Sequence, residues 1–254
     1  MKTIMVASTK GGTAKTTSVL ALAAVWAVEH ARRVAIWDGD PRASLTRQLR
    51  EQTVADPWAA DPVEVPIPEM RENAMLFRGG RVLGIADPER LRLFFERADW
   101  EDRLRADLAI IETGTAGVMG ILAAADVADL VLVPVDTSPL GLEGLIETMK
   151  LLEVIEPPVP TRVLLTRVHP RRRITRRIMD HLDKHHPGLR LDVGIPEDAR
   201  VPESQEERLP VVLDAPRDRA SIAYREVAAH LLDVLAGLRR VPHLVNHNAL
   251  EAGA

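Results

Sequence analysis

The sequence predicts a single α/β domain over residues 1–254, with a mostly parallel, twisted sheet covered by helices on both faces. Three observations predict it. Short apolar runs rich in β-branched residues alternate along the chain with longer helical segments. Several of these runs end in a glycine turn or an acid, where open α/β sheets bind ligands. The hydrophobic content, 46% of 254 residues, is enough for a full core. The absence of cysteine excludes disulfides, thiolate metal sites and iron–sulfur clusters. The ten-residue apolar run Val19 to Val28 is far short of a bilayer span, and Lys10-Gly11-Gly12 interrupts any signal-peptide core, so a cytoplasmic protein is expected. With a net charge of −4, any nucleic-acid contact must come from a local patch.

The first strand is Thr3-Ile4-Met5-Val6-Ala7, apolar and short. Lys10-Gly11-Gly12-Thr13-Ala14-Lys15-Thr16-Thr17 follows, and then Val19 to Val28, which is too long for a typical strand and reads as a buried helix. A strand, a glycine turn and a helix N-terminus form a phosphate cradle, because successive backbone N–H groups point inward beside the positive end of the helix. In such a cradle Lys15 reaches the β/γ-phosphates and the Thr16 hydroxyl ligates Mg²⁺. Thr9 and Ala14 occupy the two glycine positions of the strict Walker pattern, and a second lysine, Lys10, stands five residues before Lys15. Among 33 Lys+Arg only Lys2, Lys10, Lys15, Lys150 and Lys184 are lysines, so two of five falling in this motif is informative.

Arg33 to Asp38 reads as the second strand, running into Gly39-Asp40-Pro41-Arg42. Four prolines between residues 51 and 80 rule out one long element, and this stretch reads as a surface excursion with a short helix around Glu69 to Phe77. Arg81 to Ala86 reads as a strand. Asp87-Pro88 opens a helix whose apolar face is Leu91, Phe94, Phe95 and Ala98. Asp107 to Gly114 is a buried strand ending in Glu112, a Walker B arrangement. Leu130 to Val135 and Arg162 to Arg167 are further strands, and Ala220 to Leu238 is the closing helix. Residues 242–254 read as a flexible tail without a basic amphipathic face. The eight histidines, among them His185, His186, His243 and His247, read as surface residues.

The pattern K-G-G-x-x-K-[ST] resembles the deviant P-loop of the ParA/MinD ATPases, closest to the ParA-type (Soj-like) partition ATPases. Asp38-Gly39-Asp40-Pro41 resembles that family's D-x-D-P, and the strand Leu130 to Val135 runs into Asp136 to Leu145, which looks like its P-V-x-x-S-P-x-x-L-E-G-L stretch. The resemblance implies ATP and Mg²⁺ as cofactors. It assigns Lys10, Gly11, Gly12, Thr13, Ala14, Lys15, Thr16 and Thr17 to the phosphates, Arg167 and Pro196 to the region of the base, and Thr16, Asp38 and Glu112 to the metal shell. It makes Lys10, Lys15 and Asp40 catalytic, with Asp40 orienting the attacking water and Lys10 reaching across an ATP-dependent homodimer. Two departures stand out: Glu112 replaces an aspartate, and Gly114-Thr115 replace two prolines. A glutamate reaches one methylene further, so the hydrolysis rate is the property this departure touches.

The densest charge run is Arg167 to Arg177. A helix starting near Arg171 turns Ile174, Ile178 and Leu182 to the core and spreads Arg172, Arg173, Arg176 and Arg177 over the solvent side. Such a run is either a solvated face or a site for a polyphosphate. Without interleaved aromatics, the specific alternative is sequence-independent binding of the duplex DNA backbone by Arg171, Arg172, Arg173, Arg176 and Arg177, extended by Arg217 and Arg219. The resemblance then implies a nucleoid-associated partition ATPase with a ParB-type centromere-binding partner. A MinD-like regulator of division is the alternative, which the tail disfavours, and an ATP-dependent metabolic enzyme of the same fold leaves the arginine run unexplained.

Overall fold

The computed structural model describes residues 1–96, 105–115, 118–239 and 244–245. Nine strands occur among the described residues: β1 (Lys2–Val6), β2 (Val34–Gly39), β3 (Val63–Glu64), β4 (Ala74–Phe77), β5 (Leu108–Thr113), β6 (Leu130–Asp136), β7 (Ile155–Glu156), β8 (Thr161–Thr166) and β9 (Leu244–Val245). Seven of them form one sheet in the order β3-β4-β2-β5-β1-β6-β8. Every neighbouring pair in it is parallel except β3–β4. β2 and β5 are buried along their whole length, as strands covered on both faces must be.

Side chains alternate across the sheet and feed two separate cores. Ile4 and Val6 point into one, Met5 and Ala7 into the other. The first core is filled by the helices α1 (Lys15–Ala24), α2 (Ser44–Gln48), α8 (Val211–Asp214) and α9 (Arg219–Gly237). The second is filled by α3 (Pro88–Glu96), α4 (Val118–Ala125), α5 (Pro139–Leu152) and α6 (Arg173–His185). A short helix α7 (Arg200–Glu206) lies before α8. α1 is apolar almost all round because it is enclosed by the sheet and α9, and it runs into a π-turn at Val25–Glu29.

Three local expectations are corrected. The segment Glu69 to Phe77 is not helical. A 3₁₀ turn at Pro68–Met70 leads into β4, whose alternating residues Ala74 and Leu76 enter the first core. Tertiary pairing with β2 outweighs the weak local helical pattern. Arg81–Ile85 is a 3₁₀ helix rather than a strand, with only Leu83 buried. The buried helix begins four residues before Val19, at Lys15, inside the phosphate motif. The expected tail 242–254, with His243 and His247, lies outside the described residues except for β9, which pairs antiparallel with β7.

Candidate functional site

β1 lies inside the sheet between β5 and β6; the chain runs from β1 to β2 on one side and later crosses from β5 to β6 on the other. Ligands gather at the carboxyl ends of strands where such a reversal occurs. The loop after β1 carries Gly12 at φ 78° and Ala14 at φ 69°, both left-handed. Glycine adopts that conformation freely, whereas alanine holds it at a cost of about 1–2 kcal/mol. Ala14 is the residue immediately before α1, so the strain sits at the helix N-terminus.

Lys15 is buried, and its Nζ donates to Ser8 O at 3.3 Å and to Lys10 O at 3.2 Å. Burial lowers its pKa, opposed by the nearby Glu112 and Asp40 carboxylates. The Thr16 hydroxyl donates to Glu112 Oε1 at 2.5 Å. The extra methylene of the glutamate is thus used to reach the threonine. Asp40 accepts the Arg42 N–H at 2.9 Å through Oδ1 and the Ser44 hydroxyl at 3.1 Å through Oδ2. A cavity of about 220 Å³ is lined by Gly11, Gly12, Lys15, Thr16, Asp40 and Glu112, among others.

A second cavity, of about 360 Å³, continues from it. Arg167 and Pro196 line it, as expected, together with Ala14 and Thr17. Gln205 and Tyr224 line it too, and neither belongs to a motif. Gln205 also faces the first cavity and donates to Thr17 Oγ1 at 2.6 Å. Tyr224 is buried against Ser18 Oγ at 3.1 Å, and burial pushes its pKa up to about 12. Its signal was its rarity: it is the sole tyrosine of the chain.

Three residues of the expected set do not line these cavities. Thr13 is buried, its carbonyl accepting the Thr166 hydroxyl at 3.2 Å. Asp38 is fully buried behind the cavities. Its Oδ2 accepts the N–H and hydroxyl of Thr46 at 2.8 and 2.6 Å, and its Oδ1 accepts the Asp40 N–H at 3.2 Å. Lys10 turns away toward α5, where its Nζ lies 3.5 Å from Glu147 Oε1.

Asp38 and Glu112 stand opposite each other in the β2–β5 register, so two carboxylates share one buried position. Desolvation, with repulsion from Asp38, pushes Glu112 up to about 8, and desolvation above all, with repulsion from Asp40, pushes Asp38 up to about 6. Glu112 Oε2 is buried without a hydrogen-bond partner, as is Thr13 Oγ1. A buried, unpartnered carboxylate oxygen beside a threonine hydroxyl is a donor set that fits a hard divalent cation.

Glu112 makes the protein's stability pH-dependent. The unfolded chain releases this proton near 4.5, whereas the fold holds it until about 8, so the unfolded state binds fewer protons in between. Stability therefore falls as pH rises through that window, by up to ~1.4 kcal/mol per pH unit. Urea unfolding between pH 5.5 and 7.5 should show this fall, and Glu112→Gln should flatten it. Equal slopes in the two proteins would reject the buried-acid assignment.

The model of the CobQ/CobB/MinD/ParA nucleotide-binding domain matches residues 4–211. The chain belongs to that family. Among its relatives, the sporulation initiation inhibitor protein Soj of Bacillus subtilis is 25% identical over 245 residues, covering 89% of this chain and 96% of Soj. Apo McdA of Cyanothece superposes with a TM-score of 0.76 at 19% identity, covering 91% of this chain and 99% of McdA. The septum site-determining protein MinD of Pyrococcus horikoshii, solved with Mg-ADP, superposes with a TM-score of 0.72 at 21% identity, covering 93% and 97%. In this ParA/MinD-type domain the cradle, Asp40 and Glu112 converge on one cavity, with Arg167 and Pro196 lining the cavity beside it.

The arginine run lies on the solvent side of α6 and the turn before it. Arg171, Arg172, Arg173, Arg176 and Arg177 are all exposed along α6 and the turn before it, while Thr175, Ile178 and Leu182 are buried. Arg171 and Arg219 line one open groove of about 720 Å³ whose wall includes Ile222, an apolar residue 47% exposed. Arg217 is exposed just before α9. Arg172 pairs with Glu197 at 3.0 Å. No helix among the described residues is long and apolar enough to cross a membrane.

Proposed function

We propose that this chain is a ParA-type partition ATPase, cytoplasmic and nucleoid-associated, that dimerises on ATP and binds the backbone of duplex DNA without sequence preference. A ParB-type centromere-binding partner stimulates its slow hydrolysis. The observation that carries this reading is the pairing of the Lys15–Glu112 cavity with a separate arginine face on α6. One site reads nucleotide and the other reads phosphate backbone. ATP with Mg²⁺ is the ligand the cavity fits, and the metal would neutralise phosphate charge.

The chain's own residues divide the work. Lys15 leaves the carbonyls of Ser8 and Lys10 for the β/γ-phosphates, gaining charged acceptors for neutral ones. Thr16 and Glu112 would hold the metal, and Asp38, locked by Thr46, supports that shell from behind. Asp40 orients the attacking water, its own carboxylate fixed by Arg42 N–H and Ser44.

Salt titration on two unrelated duplexes tests the DNA reading. Neutralising Arg172, Arg173, Arg176 and Arg177 together should weaken binding of both duplexes alike and spare ATP binding. The log–log salt slope should fall by about 0.9 per lost contact, roughly 3 to 4 in all. ATP should strengthen wild-type binding, because a dimer presents two patches to one duplex. Equal slopes in wild type and variant would make α6 an ordinary solvated face.

A further inference from the structure

Lys10 is the charged residue of the motif that lines neither cavity. Its backbone serves its own cradle, since Lys10 O accepts Lys15 Nζ, but its side chain lies on α5. Three positions of one α5 face hold it there. Glu147 Oε1 pairs with the ammonium at 3.5 Å, and Glu147 Oε2 accepts the Thr9 hydroxyl at 3.1 Å. Thr148 Oγ1 accepts the Thr9 N–H at 3.1 Å and donates to Gly144 O at 2.6 Å. The Lys10 stem fills the notch that Gly144 leaves, where an added Cβ would meet Lys10 Cβ at 2.9 Å. Residues 144, 147 and 148 are neighbours on a helix surface, so one face of α5 forms the whole seat.

We propose that Glu147 is a positioning residue that keeps Lys10 within its own protomer until a second nucleotide-loaded copy presents its phosphates. This rests on the reading that Lys10 acts across an ATP-dependent homodimer. The physical basis is a contest between two anions. The Lys10 and Glu147 side chains are 34% and 53% exposed, so their pairing is weak and solvent-screened. A triphosphate carries more charge than one carboxylate and takes the ammonium over at little cost. A lone protomer keeps its lysine docked, and dimerisation transfers it.

The chain has only five lysines, so limiting acetylation followed by peptide mass spectrometry can follow Lys10 individually. In the nucleotide-free full-length protein, Glu147→Gln should raise Lys10 labelling severalfold and leave Lys2, Lys150 and Lys184 unchanged. With ATP, sedimentation should show dimerisation tightened by about fivefold in Glu147→Gln, the scale of one exposed ion pair. Glu147→Asp should return both readouts part of the way to wild type, which a loss of mere helix packing would not do. Unchanged Lys10 labelling would overturn the proposal, because the pair would then not exist in solution. Raised labelling with weaker dimerisation would also overturn it, since Glu147 would then assist the dimer rather than restrain Lys10. Raised labelling with no ATP-dependent dimer in any of the proteins would instead sink the dimer reading, and the hand-over role with it.

Discussion

Lys15→Ala should abolish measurable ATP binding while the fold persists. Among the described residues Lys15 is the lysine that lines the cavity of about 220 Å³, beside Arg42 and Arg167, and its Nζ donates to two backbone carbonyls. A hydrogen bond to a charged group contributes about 1.5–3 kcal/mol, so losing two phosphate contacts weakens binding by about 10²- to 10⁴-fold. Removing a buried cation beside carboxylates usually threatens the fold. Here burial favours the protonated Glu112, and Asp40 keeps the Arg42 N–H and the Ser44 hydroxyl as donors, so the fold is expected to survive the loss. Calorimetry with ATP reads the affinity, and thermal unfolding of the same sample shows that the domain is intact. Lys184→Ala, exposed on α6 away from the cavity, is the control. An unchanged affinity in Lys15→Ala would end the phosphate-cradle assignment.

Asp40→Ala should bind ATP and lose hydrolysis by about 10²- to 10⁴-fold, the usual contribution of a positioned acid–base group. Asp40 lines the same cavity as Lys15 and Thr16, whose hydrogen bonds go to Ser8, Lys10 and Glu112 instead, so those contacts survive its removal. Its carboxylate also closes the turn before α2 by accepting from Arg42 N–H and Ser44 Oγ. Asp40→Asn keeps an acceptor for that turn and removes only the charge. If both variants stop turnover and trap an ATP dimer in sedimentation, the carboxylate is acting on the water. If Asp40→Asn turns over like wild type, the role of Asp40 is to hold the loop. A monomer with ATP present in both variants would count against the assignment altogether.

Local sequence determined the elements that carry chemistry. A short apolar run, two glycines, two lysines and a hydroxyl specify a strand, a turn and a helix between Lys2 and Ala24, and no distant contact is needed to read them. Glu112 and Asp40 were legible for the same reason, since Glu112 stands near the end of β5 and Asp40 directly follows β2. The apolar period of α6 likewise placed Ile178 and Leu182 inside and the arginines outside.

What only the tertiary structure decided depends on which strands become neighbours. β4 reads as a weak helix until it is paired with β2, because four residues cannot outvote a neighbouring strand. The register of β2 against β5 sets Asp38 opposite Glu112 inside the sheet; burial there raises both pKa values, and the facing Asp38 adds to the rise at Glu112. Gln205 reaches Thr17 across 188 positions of chain, and no periodicity announces a contact of that span. Lys10 belongs by sequence to the phosphate motif, yet its side chain is seated on α5, because the packing of α5 against the loop after β1 puts Gly144 and Glu147 within its reach. A motif fixes where a backbone turns, while the destination of a long, flexible side chain is set by whichever surface the fold brings beside it.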